Sequence, residues 1–171
     1  MPAERTRPLY LALDQGGHAS RALVFDAHGV AQARSLREVQ VHHPQADWVE
    51  QDPDDLVASL LEATREVLLE LGTRSAQLVS VGLATQRSSI VCWDRVTGQA
   101  LSPVISWQDR RAHAWLARFA SHAEAIHAST GLMLSAHYGA SKLRWCLDHL
   151  PAVARAETAG RLAFGPLASF L

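Results

Sequence analysis

The sequence is poor in the features that announce many specialised proteins. It has two cysteines, Cys92 and Cys146, in 171 residues. They lie far apart and without metal-ligand spacing, so neither a disulfide framework nor a zinc site is encoded, and both read as reduced packing residues. No apolar run approaches the roughly twenty residues of a membrane-spanning helix, and no charged-then-apolar leader opens the chain; no membrane partner and a cytoplasmic location are expected. Charge of one sign is missing too: 16 Lys and Arg stand against 17 Asp and Glu, a net of −1. That leaves no basic footprint for nucleic acid. The nine histidines are scattered, and even His42-His43 sits beside Pro44 without further ligands at suitable intervals. Repeats and low-complexity linkers are also absent.

What the chain has is enough apolar residues for a core, at 48%, and a length that suggests one domain over 1–171. Residues 9–13, 20–26 and 29–41 read as three strands joined by tight turns, with Ala27-His28-Gly29 as turn chemistry. The stretch VEQDPDDLVASLLEATREVLLELG reads as a helix, with Asp52 at its N-cap, Pro53 in the first helical position and Gly72 as its stop. Leu56, Leu60, Ala63, Val67 and Leu71 give it one apolar face. LVSVGLATQ is nearly all apolar or small, the pattern of a strand covered on both faces. SIVCWDRVTGQAL reads as a hairpin turning at Asp94 to Gly98. Helical spacing follows in Ala112, Trp115, Leu116, Phe119 and Ala120, and again in Leu143, Cys146, Leu147 and Leu150; RLAFGPLASFL begins as a further strand, expected over 162–167 in the same sheet as 9–13 and 78–84. Trp48, Trp93, Trp115 and Trp145 are assigned to packing.

Three strands, helix, strand, helices, strand is an α/β order compatible with a ribonuclease-H-like fold, though other α/β folds share it. The residues narrow the choice. LALDQGGHASR resembles the first phosphate loop of the sugar-kinase and actin-like ATPase superfamily. DWVEQDP, TQRSSIVCWDRVTGQAL, SWQDRR and FGPLASFL, in the same sequential order, are similar to the FGGY carbohydrate kinases, most closely the glycerol-kinase branch. The resemblance runs along essentially the whole chain. It implies the N-terminal lobe of that fold, a mixed sheet flanked by helices and truncated at the C-terminus.

The opening turn is the first candidate site. A hairpin with Gly16 and Gly17 lets backbone N–H groups approach an anion with no Cβ in the way. By resemblance, Asp14, Gln15, Gly16, Gly17, His18 and Arg21 would hold ATP, with Asp14 on Mg²⁺ through water and Arg21 on a terminal phosphate. The family loop reads Asp-Gln-Gly-Thr-Thr-Ser-Ser-Arg, whereas Gly17, His18 and Ala19 here remove three hydroxyl donors. Each such bond to a charged phosphate contributes about 1.5–3 kcal/mol, so weak nucleotide binding is expected.

The resemblance also implies a pocket for a small-molecule polyol or sugar. Arg87 matches an arginine that grips hydroxyls, but Ser88 stands where the family has glutamate. Aligning on Lys142 puts His137, not Tyr138, at the position of a pocket tyrosine, and Trp107 matches the aromatic wall. Each residue keeps an ordinary alternative: a plain hairpin for the turn, a surface arginine, a core tryptophan, a helix-entry histidine. No catalytic residue is assigned, because the Gly-Asp-Gln segment that carries the family's general base does not occur here.

Two classes of function follow. One is the N-terminal part of an ATP-dependent polyol kinase, inactive alone, completed by a C-terminal lobe in trans or assembled as a homo-oligomer. The other is a non-catalytic remnant that binds a ligand or partner. A sheet left partly uncovered would expose apolar surface, and self-association is expected.

Overall fold

A computed structural model describes residues 7–171. In chain order the elements are β1 (Leu9–Gln15), β2 (Ala19–Asp26), β3 (Ala31–Glu38), β4 (Glu50–Gln51), α1 (Pro53–Leu71), β5 (Leu78–Thr85), β6 (Ile90–Asp94), β7 (Val104–Ile105), α2 (His113–Leu116), α3 (Ala123–Thr130), α4 (Gly139–His149), α5 (Pro151–Thr158) and β8 (Leu162–Pro166). They divide into two compact units, the residues up to Gln40 with Asp54–Gln86, and Val41–Pro53 with Arg87–Leu171.

The first unit is a four-stranded sheet in the order β3-β2-β1-β5, with β5 parallel to β1 and the other pairs antiparallel. Strand alternation turns Leu9 and Leu11 of β1, Ala22 and Val24 of β2 and Ala33 of β3 to one side, where they meet Ala63, Val67 and Leu71 of α1. Those helix positions recur at the 3.6-residue period, so the apolar stripe read from the sequence is the stripe that packs. The helix stops at Gly72, whose φ of +55° is a left-handed conformation that costs glycine little. Beneath the first turn, Ser20 Oγ lies 2.7 Å from Ser59 Oγ of α1 and donates to Gln15 Oε1 at 2.8 Å. This buried polar set ties the end of the hairpin to the helix.

The second unit has the sheet order β4-β7-β6-β8. Ile90 and Cys92 of β6, Ile105 of β7, Cys146 of α4 and Val153 of α5 form its core, with Leu143, Leu147, Leu150 and Leu162 packed around them. A Cβ on Gly139 would sit 2.7 Å from Ile90 Cγ2, so only glycine lets α4 begin so close to β6. Both thiols are free and buried, as the packing reading expects. Arg111 is enclosed as well. Its guanidinium lies 4.0 Å from the Trp48 ring and 4.5 Å from the Trp145 ring, and it meets Asp109 at 2.8 Å and Glu50 at 2.7 Å.

Three expectations change. LVSVGLATQ is a strand, but β5 is an edge of its sheet and Val79, Val81 and Leu83 are 63%, 59% and 42% exposed. Among the described residues its only strand neighbour is β1, and the buried stripe of α1 lies over β1 and β2, so an apolar composition did not mean cover on both faces. The segment RLAFGPLASFL does not extend that sheet either: β8 runs antiparallel to β6 through Ile90↔Pro166 to Asp94↔Leu162. Finally, the helical spacing at 112–120 yields only the short α2, followed by a 3₁₀ stretch over Ala117–His122. Ala112 has no side-chain group to cap the first turn.

Two substitutions separate core from open surface. Leu11→Ala should lower the unfolding free energy by about 2–5 kcal/mol, whereas Val79→Lys with Val81→Lys should change it by no more than about 1 kcal/mol. The lysine pair should also shift the chain toward monomer, by charging an unpaired edge. Urea unfolding and size-exclusion chromatography of the same samples check both outcomes.

Candidate functional site

The hairpin between β1 and β2 turns over Gly16, Gly17 and His18. Gly16 N–H donates to Ala19 O at 2.9 Å, so that donor is spent closing the turn and is withheld from a ligand. A Cβ on Gly16 would lie 3.1 Å from Ala19 O and 3.1 Å from Arg21 Nη1. Glycine there gives Arg21 room to fold back over the turn and donate to Asp14 Oδ2 at 2.9 Å. The pair is half exposed, 41% and 44%, so it orients both side chains more than it stabilises the fold. Gln15 is fully buried and takes Ser20 Oγ. Its side chain holds the turn from beneath rather than lining its outer surface. At Gly17 a Cβ would come no closer than 4.0 Å to any neighbour, here Gln86 Oε1. The ring of His18 is exposed, and its carbonyl accepts Val39 N–H at 3.0 Å.

In the second unit, Arg87, Ser88, Trp107, His137 and Tyr138 line one cavity of about 490 Å³. All four residues expected to meet an acceptor are therefore brought together, and Tyr138, set aside in favour of His137, joins them. Three backbone devices build the cavity. Ser88 has φ +63°, a left-handed conformation uncommon outside glycine. Trp107 N–H donates to Ser89 Oγ at 2.9 Å, and His137 N–H to Ser135 Oγ at 3.1 Å. Lys142, fully buried at the start of α4, joins the two walls: its Nζ donates to Ser88 O at 3.0 Å and to His137 O at 2.6 Å. The His137 ring stands 5.8 Å from the Trp107 ring and 5.1 Å from the Tyr138 ring, edge on in both cases.

The electrostatics of this cavity are one-sided. Burial pushes the Lys142 amine down to about 8; Asp109 opposes that shift, and Arg110 and Arg111 add to it. The His137 imidazole is pushed below its ordinary value by burial and then by the positive charge of Lys142, Arg110 and Arg87. Asp109 does not offset this from the wall, because its carboxylate is buried and takes Val49 N–H at 2.7 Å and Arg111 Nε at 2.9 Å. The sequence reading missed Lys142 as a structural tie and Asp109 and Arg111 as a buried pair. The signal available was an amine and a guanidinium inside segments otherwise patterned for packing.

A glycine hairpin carrying an Asp–Arg pair, and a cavity walled by arginine and indole on a second sheet, are parts of a sugar-kinase N-terminal lobe. The chain matches the N-terminal domain of the FGGY family of carbohydrate kinases over residues 9–164, and it belongs to that family. It is 44% identical over 163 residues to the glycerol kinase of Aromatoleum aromaticum, a match covering 94% of this chain and 33% of that protein. In fold it superposes on the Plasmodium falciparum glycerol kinase solved with ADP at TM-score 0.86, with 21% identity over 96% of this chain and 33% of that one. The xylulose kinase of Rhodospirillum rubrum superposes at TM-score 0.72 with 27% identity, covering 86% and 31%. The chain thus spans about a third of the length of the relatives it matches.

Lys142 provides a pH test. Its proton is held less tightly in the folded chain, near 8, than in the unfolded chain, near 10.5. Between those values the unfolded state binds more protons, so stability should rise with pH across that window. Urea midpoints at the two ends of the window should show the rise in the native chain and a smaller one in Lys142→Met.

Proposed function

We propose that the chain is the amino-terminal third of an ATP-dependent polyol or sugar kinase of the glycerol-kinase type, supplying part of the phosphate site and the wall of the acceptor pocket. The observation that carries this reading is the convergence of Arg87, Ser88, Trp107 and His137 on one cavity, in a chain whose glycerol kinase relatives match it along nearly its whole length.

On this reading the hairpin turn holds the phosphates, with Gly17 and His18 at its tip and Arg21 on the terminal phosphate. The residues present fit Mg²⁺: Asp14 offers one half-exposed carboxylate beside a single guanidinium, and no group of three His, Cys, Asp or Glu able to hold a metal occurs among the described residues. One carboxylate suits a small cation that keeps most of its water. The ion would neutralise charge on the transferring phosphoryl group. In the acceptor cavity Trp107 packs the carbon skeleton while Arg87 and Ser88 take polar groups. None of the five lining residues is a carboxylate, and no Gly-Asp-Gln segment occurs in the sequence; the general base would come from the carboxyl-terminal part of a longer kinase, in the same chain or in trans. Replacement of the turn hydroxyls by Gly17, His18 and Ala19 favours a second reading, a ligand-binding module of the same fold without turnover.

The 171-residue chain alone is expected to release no ADP with glycerol or any member of a polyol and sugar panel, and acceptor-dependent turnover in a coupled assay would overturn the proposal. MgATP should bind weakly by calorimetry, and more weakly still after Asp14→Asn. Gly17→Thr with His18→Thr should tighten it by about tenfold or more, each restored hydroxyl contributing about 1.5–3 kcal/mol at most. The open space at position 17 makes that substitution sterically mild.

A further inference from the structure

The second unit holds another cavity, of about 320 Å³, with a different chemistry. Its lining comes from one continuous stretch, Trp115 to Ser141, that runs from α2 through α3 into the first turn of α4. Trp115, Leu116, Phe119, Ile126, Leu132 and Leu134 form most of the wall, and among the described residues no Asp, Glu, Lys, Arg or His lines it. Three hydroxyl side chains of the lining are turned to the backbone. Thr130 Oγ1 donates to Ile126 O at 2.7 Å and accepts Leu132 N–H at 3.1 Å. Ser135 Oγ accepts His137 N–H at 3.1 Å, and Ser141 Oγ lies 3.4 Å from Tyr138 O. Hydroxyls committed in this way offer little to a polar guest, and a charged one would lose its hydration for no partner.

The apolar part of the wall suits a ring. Trp115 and Phe119 stand with centroids 4.7 Å apart at 52°, presenting faces and edges that a third ring can stack on or abut. Met133 adds a deformable thioether, and it is 67% exposed. Apolar side chains left open to water around a concave site favour a guest that covers them. Volume sets the size of that guest: a dry cavity of about 150 Å³ admits one benzene ring, and this one is about twice as large.

The geometry points to a second binding site in this chain, for a neutral apolar compound of two fused rings, held between the Trp115–Phe119 pair and the aliphatic side chains of the same stretch. The site does not rest on the acceptor reading, since Arg87, Ser88, Trp107 and His137 do not line it. Tyr138 is common to both cavities. A guest in the second therefore lies against a wall of the first, and the His137 ring, edge-on to Tyr138 at 5.1 Å, reports its arrival.

Naphthalene and naphthoate are the matched probes, with the same two rings and one charge between them. Each is titrated into the 171-residue chain, up to the solubility of naphthalene, while NMR follows the methyl signals of Leu116, Ile126, Leu132, Met133 and Leu134 and the ring signals of His137. Naphthalene should shift these signals saturably. Naphthoate should bind at least about tenfold more weakly, because its carboxylate must be desolvated or held outside. Ala140→Phe, at an exposed position of α4 that lines the cavity, should weaken naphthalene binding by about tenfold or more by filling the space. Leu132→Glu, also at an exposed position, should weaken it by setting a carboxylate beside the rings, whereas Val96→Glu, exposed and outside the cavity, should leave it unchanged. None of the three substitutions removes a buried side chain, and circular dichroism of each variant confirms that it folds. Absence of saturable shifts, equal binding of naphthoate, or undiminished binding by both cavity variants would overturn the inference, and none of these outcomes bears on the kinase reading. Methyl shifts without movement of His137 would overturn the contact through Tyr138.

Discussion

The cavity lined by Arg87, Ser88, Trp107, His137 and Tyr138 depends on a buried amine. Lys142 has no exposed surface, and its two hydrogen bonds, to the carbonyls of Ser88 and His137, join segments that are distant in sequence. A carbonyl accepting from an ammonium group makes a stronger bond than a neutral pair, and here one of the two such bonds holds a residue in a left-handed conformation. Ser88 at φ +63° is the kind of local strain that persists only where its surroundings over-determine it. Removing the amine would free the Ser88 turn and the His137 turn at once. The positive charge that remains behind the wall is a consequence of the same arrangement.

The first unit solves a different problem with polar contacts of its own. A tight hairpin must place Asp14 and Arg21 beside each other at its mouth while the strands beneath it stay packed. Cross-strand register does the first, since Asp14 and Arg21 are direct partners on β1 and β2. Buried Gln15, Ser20 and Ser59 do the second, satisfying one another and fastening the hairpin to α1. Around Arg111 a comparable economy holds in the second unit, where two indole faces and two carboxylates enclose one guanidinium. Its Nη1 is, among the described residues, the buried side-chain nitrogen or oxygen without a hydrogen-bond partner. The indole faces offer that guanidinium its compensation.

The sequence by itself determined the local elements and the inventory of the site. The 3.6-residue stripe of α1, the left-handed stop at Gly72, the strand alternation of β1 and β2 and the Asp94–Gly98 turn all follow from short-range rules, because each is decided within a few residues of chain. Arg87, Ser88, Trp107 and His137 were legible as one pocket through ordered resemblance to a family. What only the tertiary structure decided is pairing and enclosure. The partners of β8, the exposure of β5, the closure of Gly16 N–H onto Ala19 and the inward turn of Gln15 depend on which distant segment arrives beside each group. An apolar strand reads alike at a sheet's centre and at its edge. A lysine in an amphipathic helix reads alike on the surface and tied beneath a cavity, because burial belongs to the assembled neighbours and not to the residue.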